Sequence, residues 1–298
     1  MTLYEAYEQF IFDKRAQGLS DKSLNSYENI LHVFLEYFGS TFEIEKIEMN
    51  DVKRFSIYLR SKNLSKATIS TYMRNAKILL RWISEEYGLG FDPKKIKVPK
   101  SPKKKVYVYS DDEIRKIFQS IETGVPWITA RNRAMVSLML DSGIRQCEVC
   151  GLKRSNVDSQ RMVLKVYGKG DKERYVPVGR FALNTLEEYY KACPFDSDYV
   201  FLNKDGSQLS SNAVKLFTSK LQKKLPFEFS SHRLRHNFAT NYCLDSLKQK
   251  NTTGVYDLSI IMGHASIETT KRYEHLAHEL IAVNSCISHL DIVYGNVS

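Results

Sequence analysis

Two segments decide how this chain folds and reacts: SHRLRH at residues 231–236, and MGH at residues 262–264, with Tyr273 nine residues after His264. Offsets of three and four residues place His232, Arg235 and His236 on one face of a predicted helix. Arginine and histidine donate hydrogen bonds to an oxyanion, and tyrosine is a nucleophile. Such groups are typical of sites where a tyrosine attacks a phosphodiester, although a His and Arg pair on a helix is more often structural.

The composition points to a polyanionic partner. The net charge is +10, and the isoelectric point is near 9.2. Lysine and arginine gain affinity for nucleic acid by displacing counterions from phosphates. The chain has 298 residues, of which 43% are apolar, and a single domain usually has roughly 100–200 residues. We therefore expect two domains, each with its own core.

The cysteines and the hydropathy favour a reducing compartment. Five cysteines show no evenly spaced framework, and no long apolar run is present, so we expect a cytoplasmic protein with reduced thiols and no membrane segment. Cys147 and Cys150 form a Cys-x-x-Cys pair, but no second pair completes a zinc site. We predict two small residues one helical turn apart, and neither a metal nor a cofactor.

Residues 1–92 are predicted to form a helical DNA-binding domain. Apolar residues recur with helical spacing in four stretches, which indicates a small bundle. The predicted DNA-facing residues are polar or basic and surround the turn between the third and fourth helices: Lys62, Lys66, Thr68, Tyr72, Arg74 and Lys77. Because these 92 residues are close to neutral overall, the alternative is a solvated face.

Residues 93–109 are predicted to be a basic linker. Its first thirteen residues contain three prolines, seven lysines and no acidic residue, a composition that favours an extended chain. Such a strand could follow a phosphate backbone, whereas the alternative is a solubilising linker. The lysines concerned are Lys94, Lys95, Lys97, Lys100, Lys103, Lys104 and Lys105.

Residues 110–298 are predicted to form a second, mixed domain. A helix from 130 to 141 ends at Gly143, which places Arg145 on a turn between helices. Two alternating segments, 161–167 and 173–178, predict a β-hairpin with Lys169 at its tip. Further helices are expected at 181–191, 212–225 and 257–262, with a polar loop at 247–256 and an amphipathic tail segment within 279–298. The fold is thus mainly α with a small β-sheet.

Four motifs resemble those of the tyrosine recombinase (phage integrase) family, which includes the Xer recombinases. Residues 141–148 (DSGIRQCE) resemble its first arginine box, and residues 168–178 (GKGDKERYVPV) resemble its lysine hairpin. Residues 232–236 (HRLRH) match its His-x-x-Arg box, and residues 262–264 with Tyr273 match its closing box. All four occur in the family's order, so chance is a poor explanation.

The resemblance implies a SAM-like core-binding domain that closes with a mixed α+β catalytic domain around DNA. It implies six catalytic residues: Arg145, Lys169, His232, Arg235, His264 and the nucleophile Tyr273. The arginines would clamp the phosphate, Lys169 would protonate the leaving 5′-oxygen, and His232 would accept the tyrosine proton. We expect Glu148 to orient the region of Arg145. For His236 there are two alternatives, contact with the site and packing, of which we favour packing.

The implied activity is site-specific recombination through a 3′-phosphotyrosyl link, without a cofactor. The implied partner is double-stranded DNA with specific recombination sites, bound by a chain that is monomeric in solution and tetrameric on DNA. A type IB topoisomerase-like enzyme shares this chemistry and is one alternative. A non-catalytic DNA-binding regulator derived from a recombinase is the other, although all six reactive positions are retained.

Overall fold

The computed structural model describes residues 1–101, 106–168 and 172–284, together with residues 290 and 293. The chain divides into two compact units, residues 1–104 and 105–298. The described residues of the first unit are helical, whereas those of the second combine helices with one small sheet. The predicted fold class, mainly α with a small β-sheet, is confirmed.

The first unit is a bundle of four helices: α1 (Leu3–Ala16), α2 (Asp21–Phe38), α3 (Met49–Ser61) and α4 (Lys66–Glu86). Thr2 begins α1 and Ser65 begins α4, each accepting a hydrogen bond from a backbone N–H three residues on. The apolar stripes face inward, and Phe10, Phe34 and Phe55 are fully buried. The four predicted helices are confirmed.

The beginning of the predicted linker packs on this bundle. Residues 93–95 form a short 3₁₀ turn instead of an extended strand. Ile96 is 4% exposed within the core of the first unit. The Lys77 ammonium donates to the carbonyl oxygens of Lys94 and Ile96, both at 2.8 Å. The expectation of an extended chain from residue 93 is wrong, because apolar burial and these hydrogen bonds hold its first part in place.

The second unit is built around α6. Its helices are α5 (Asp111–Gln119), α6 (Pro126–Ser142), α7 (Gln146–Gly151), α8 (Arg180–Ala192), α9 (Ser211–Gln222), α10 (Ser231–Lys248), α11 (Gly254–Met262) and α12 (Glu268–Asn284). Nearly the whole circumference of α6 is buried. Tyr109, which we assigned to the linker, is 4% exposed in this core and donates its backbone N–H to Asn237.

The sheet has three antiparallel strands in the order β1 (Val157–Asp158), β2 (Val163–Tyr167) and β3 (Glu173–Pro177). β2 and β3 form the predicted hairpin, with Tyr167 opposite Glu173. Lys169, expected at the tip, lies outside the described residues, as do Lys103, Lys104 and Lys105. The described residue Gly168 donates its N–H to the carbonyl of Lys172 and closes the hairpin base.

Two expectations for the last third of the chain are wrong. Residues 247–256 are not one loop, since α10 continues to Lys248 and α11 already begins at Gly254. Residues 279–284 do not start a separate segment, because they continue the helix that carries Tyr273. Apolar side chains of α10, α11 and α12 form a core of their own, which includes Tyr273 and Met262. Most of the remaining tail lies outside the described residues.

No helix in the described part of the chain is long and apolar enough to cross a membrane. Cys147, Cys150, Cys193 and Cys243 are free thiols. Cys147 and Cys150 lie one helical turn apart on α7, where Cys147 is exposed and Cys150 is buried.

Candidate active site

The carboxyl end of α11 gathers three arginines. Arg174 Nε donates to the Ile261 carbonyl at 2.7 Å, and Arg235 Nη2 donates to the Met262 carbonyl at 2.5 Å. Arg145 Nη2 donates to the Gly263 carbonyl at 2.9 Å. The last carbonyls of a helix lack partners inside the helix and carry its negative dipole end. The three arginine side chains therefore converge on the carboxyl end of α11.

Glu148 joins two of these arginines. Its side chain is 1% exposed and accepts from Arg174 Nη1 and Nη2, both at 2.8 Å, and from Arg145 Nη1 at 3.0 Å. It also accepts from the Arg145 backbone N–H at 2.7 Å. Burial would raise the pKa of Glu148, but hydrogen bonds from Arg174 and Arg145 outweigh burial and hold that pKa below its usual value. Glu148 is thus an ionised anchor for both guanidinium groups.

Arg235 is the most enclosed cation of the cluster. It is 4% exposed, and its Nη1 donates to the Gly143 carbonyl at 2.5 Å. Burial, followed by the charge of Arg145, lowers the pKa of Arg235 to about 10, so the group remains protonated at neutral pH. Gly143 ends α6 with a φ of 63°, and a Cβ there would overlap the Phe238 ring. Only glycine brings this carbonyl so close to α10.

Tyr273 is buried on α12, with 1% of its surface exposed. Its hydroxyl oxygen lies 2.7 Å from His236 Nδ1 and 2.7 Å from Arg272 Nη2. An arginine can only donate, so Arg272 donates to the hydroxyl oxygen. In the tautomer of His236 whose Nδ1 carries no proton, the hydroxyl donates its own proton to that nitrogen. The guanidinium of Arg272 also lies 4.7 Å from the centre of the Tyr273 ring. The hydroxyl is therefore fixed by two side chains.

His264 connects Tyr273 with the arginine cluster. Its ring is nearly parallel to that of Tyr273, with 6.4 Å between the centroids. Its Nε2 lies 3.3 Å from Arg235 Nη2, and its Nδ1 lies 2.8 Å from Thr270 Oγ1. Burial, then the charges of Arg235 and Arg145, lower the pKa of His264 to about 4. The imidazole is therefore neutral at pH 7.

Four of the six predicted catalytic residues lie in this cluster: Arg145, Arg235, His264 and Tyr273. Lys169 lies outside the described residues, although Gly168 at the hairpin base adjoins Arg174 and Glu148. His232 is exposed and stacks on His236, with 5.8 Å between the ring centroids. Of the two alternatives for His236, the structure shows contact with the site and not packing alone, because its Nδ1 lies 2.7 Å from the Tyr273 hydroxyl.

Sequence reasoning missed Arg174 and Arg272. Arg174 follows the predicted lysine tip on the returning strand, and Arg272 directly precedes the tyrosine. Their positions beside two motif residues were the available signal. Their partners, a helix end and a phenol, become neighbours only through the packing of β3, α11 and α12.

The predicted DNA-facing residues of the first unit do not share one face. With about 3.6 residues per turn, Lys66, Arg74 and Lys77 lie on one side of α4, and Thr68 and Tyr72 lie on another. The backbone N–H of Thr68 donates to the Ser65 side chain in the N-cap of α4. The Lys77 ammonium donates to the Lys94 carbonyl in the predicted linker, residues 93–109, which we also call the connector. Lys62 is exposed, with its ammonium 5.0 Å from the Tyr58 ring centre. Connector lysines Lys94, Lys95, Lys97 and Lys100 are exposed.

Within the described ranges, no group of three or more His, Cys, Asp or Glu residues could hold a metal ion. The charges around Tyr273 come instead from guanidinium groups. Fixed donors around a tyrosine hydroxyl define a candidate site for an enzyme that handles an anionic substrate.

Comparison with known proteins identifies the class. The family model for the phage integrase family matches residues 108–279, which is more than half of the chain. The model for the phage integrase N-terminal SAM-like domain matches residues 6–88. The chain therefore belongs to the phage integrase family and is a tyrosine recombinase, an enzyme that cleaves and rejoins DNA at specific sites. The predicted recombinase function is confirmed.

Within this family the chain is Xer-like. It is 27% identical over 273 residues to tyrosine recombinase XerD of Listeria innocua, covering 87% of this chain and 90% of the relative. It is 29% identical over 294 residues to XerD of Oceanobacillus iheyensis, covering 93% and 95%. It is 28% identical over 281 residues to XerC of Natranaerobius thermophilus, covering 89% and 91%.

Solved structures share the fold. A lambda integrase dimer bound to a COC′ core site aligns with a TM-score of 0.74 and 18% identity, covering 92% of this chain and 95% of that one. XerH recombinase bound to a palindromic difH substrate, in a post-cleavage complex, aligns with a TM-score of 0.70 and 23% identity. That alignment covers 92% of this chain and 82% of XerH.

Proposed function

We propose that this recombinase cuts one strand of duplex DNA with Tyr273 and forms a 3′-phosphotyrosyl link. The hydroxyl oxygen attacks phosphorus, the bond to the 5′-oxygen breaks, and the 5′-hydroxyl leaves with a proton. The 5′-hydroxyl of another strand then attacks the link and restores a phosphodiester. The bond energy is conserved in the link, so no nucleotide cofactor is needed.

One observation carries this proposal: the ring of Tyr273 lies against His264, and His264 contacts Arg235 in the arginine cluster at the end of α11. Charge accumulates on the two non-bridging oxygens during attack, and an arginine fork donates two hydrogen bonds without losing its proton. We assign Arg145 and Arg235 to these oxygens. Removing one preorganised donor of this kind costs about 3–4 kcal/mol of activation free energy.

The remaining assignments follow from position. His264 Nε2 faces Arg235, so it is assigned to the same phosphate. Lys169, whose hairpin begins beside Arg174 and Glu148, is assigned as the acid for the 5′-oxygen. His232 is assigned to the site through its stacking on His236. Glu148 holds Arg145 and Arg174 and does not react.

A nicked duplex that loses a short 5′-terminal fragment after cleavage tests this assignment, because the departure of the fragment prevents religation. We expect the wild type to form an adduct that survives SDS, and Tyr273→Phe to form none. Arg145→Lys and Arg235→Lys should slow adduct formation by at least about a hundredfold, since lysine lacks the planar fork. An adduct in Tyr273→Phe would refute the assignment.

We also propose how the chain assembles on DNA. The amino-terminal bundle and the exposed connector lysines bind the duplex flanking the cut, and the monomer in solution becomes a tetramer that exchanges strands between two sites. The terminal segment 279–298 is proposed to contact a neighbouring protomer. Deleting residues 279–298 should abolish cooperative binding, and retained cooperativity would contradict this assembly.

Strand exchange distinguishes this proposal from a topoisomerase. We expect recombinant products only with two matching sites, and little relaxation of supercoiled plasmids that lack a site. Relaxation of a plasmid without sites would favour the topoisomerase alternative. Site-specific binding by a wild-type protein that forms no adduct would favour the regulator. The proposed location is the cytoplasm, where the DNA substrate lies.

A further inference from the structure

The geometry points to His236 as the proton acceptor for Tyr273 during DNA cleavage. This inference rests on the proposed role of Tyr273 as nucleophile and refines it, because we had assigned proton acceptance to His232. A tyrosine hydroxyl ordinarily has a pKa of about 10, so at neutral pH it must lose its proton as it attacks. The group that takes the proton must lie within hydrogen-bond reach of the hydroxyl oxygen.

His236 meets this geometric condition. Its Nδ1 lies 2.7 Å from the hydroxyl oxygen of Tyr273, and the two rings have centroids 5.6 Å apart. Within the described residues, the hydroxyl has one other hydrogen-bond partner, Arg272, which cannot accept a proton. His232 is exposed, and its ring contacts His236 without a direct hydrogen bond to the phenol.

The surroundings keep His236 in the form that accepts a proton. Burial, followed by the charges of Arg272, His232, Arg235 and Arg233, lowers the pKa of His236 to about 4. The imidazole is therefore neutral at pH 7 and needs no prior deprotonation. Around the phenol, α12 contributes Arg272, and the segment after α11 contributes the neutral His264. Arg272 also stabilises the phenolate that develops.

The proton follows a balanced course. Tyr273 Oη bonds to phosphorus as its proton passes to His236 Nδ1, and the phosphorus bond to the 5′-oxygen breaks. That 5′-oxygen takes a proton from the acid assigned to Lys169. In the return step, the attacking 5′-hydroxyl gives its proton back to the lysine, and His236 returns its proton to Tyr273.

His236 lies next to Arg235 on α10. Arg235 is fixed to the carbonyls of Gly143 and Met262. The proton acceptor and one arm of the phosphate clamp are thus adjacent in sequence on one helix.

The test measures single-turnover adduct formation on two nicked duplexes, one with the natural 5′-oxygen and one with a 5′-bridging sulfur. A thiolate leaves without protonation, because thiols have a pKa of about 8.5. The informative variant is His236→Asn, whose carbonyl oxygen accepts the hydroxyl hydrogen bond but cannot take the proton. His236→Gln places that oxygen one bond farther and serves if the Asn variant does not bind DNA.

We expect His236→Asn to form adduct at least about a hundredfold more slowly on both duplexes, with DNA affinity retained. Lys169→Ala should be slow on the oxygen duplex and recover on the sulfur duplex. The wild-type rate should be flat from pH 6 to 8, whereas the His236→Asn rate should rise tenfold per pH unit from pH 7 to 9. His275→Asn changes an exposed histidine on α12, the helix that carries Tyr273; this variant is the control and should match wild type.

The inference is overturned if His236→Asn reacts within threefold of wild type, or if sulfur restores its rate, since the residue would then position the phenol or act as the acid. It is also overturned if His232→Asn, and not His236→Asn, acquires the rising pH profile. Failure of the proposed function is distinguishable, because the wild type would then form no adduct or Tyr273→Phe would form the same one.

Discussion

Glu148 is the residue on which the arrangement of the site depends. A buried carboxylate is costly unless it is paired and fully hydrogen-bonded. The Glu148 carboxylate accepts hydrogen bonds from both terminal nitrogens of Arg174, from one nitrogen of Arg145 and from the Arg145 backbone N–H. Its negative charge is therefore paired and fully hydrogen-bonded. Its function is positional, because it fixes the direction of the guanidinium groups that we assign to the phosphate.

Replacing Glu148 with glutamine should destabilise the second unit and slow cleavage together. We expect the free energy of unfolding to fall by about 3 kcal/mol, because two arginines lose their buried counter-charge. Urea unfolding followed by Trp127 fluorescence, in a Trp82→Phe background, reports the unit concerned. Glu268→Gln removes an exposed pair with Lys271 and should change stability by less than about 0.5 kcal/mol. Equal effects of the two substitutions would contradict this role.

The lowered pKa values of His236 and His264 make the stability of the folded chain depend on pH. His236 and His264 have a pKa of about 4 in the folded chain against 6.5 as a reference. Between these values the unfolded chain binds more protons, so stability falls as the pH drops from 6.5 to 4 and is unaffected above 6.5.

His236→Asn should reduce this slope. After allowance for partial solvent exposure, we expect about 1–2 kcal/mol less acid-induced loss of unfolding free energy between pH 6.5 and 4.5 than in the wild type. Urea unfolding at several pH values measures the difference. A variant with the wild-type slope would show that the imidazole is not held neutral in the folded protein.

At the scale of elements, the site lies where the end of α6, the start of α7 and the end of α11 come together with strand β3. The carbonyls after α6 and at the end of α11 accept hydrogen bonds from Arg145, which precedes α7, from Arg235 on α10 and from Arg174 on β3. α12 adds Tyr273, whose ring lies against His264, the neighbour of Arg235. Each arginine is therefore fixed by an element other than its own, which couples the site to the packing of the whole unit.

Sequence periodicity predicted the helices and the hairpin, because apolar spacing records which face is buried. Motif order predicted Arg145, Arg235, His264 and Tyr273 as neighbours. The pattern could not predict Arg174, since its backbone partner is 87 residues away. It also could not predict that Ile96 is buried, because the surrounding lysines made the connector resemble a solvated linker.

The packed connector yields a prediction for the first unit. Ile96→Ala should lower its unfolding free energy by about 2 kcal/mol, because it leaves a cavity against the bundle. Trp82 fluorescence in a Trp127→Phe background isolates this unit. Ile57→Ala is the matched control, since Ile57 is 65% exposed. An effect no larger than that of the control would mean that residue 96 belongs to a free linker after all.

At the scale of the whole molecule, positive charge is concentrated in the segment that connects the two units. Residues 93–105 carry seven lysines and no acid. Four of them, Lys94, Lys95, Lys97 and Lys100, are exposed in the structure. An exposed basic segment between two units of a DNA recombinase is suited to neutralising phosphates.

Changing those four lysines to glutamine should flatten the salt dependence of DNA binding. For each phosphate that a lysine no longer neutralises, the slope of log K against log salt should become shallower by about 0.9 on duplex DNA. The control changes four other exposed lysines, Lys22, Lys46, Lys53 and Lys191, and alters net charge equally. If both variants change the slope alike, the connector does not bind the DNA backbone specifically.

The central claim is that Tyr273 is the residue that becomes joined to the DNA 3′-phosphate. It is tested most directly by trapping the adduct on a nicked duplex, digesting it with nuclease and trypsin, and sequencing the peptides by mass spectrometry. Trypsin cuts after Arg272, and no lysine or arginine follows, so the account predicts the nucleotide on the peptide 273–298, attached at Tyr273 through a 3′-phosphate. A nucleotide on any other tyrosine, or a 5′-phosphate link, would contradict it.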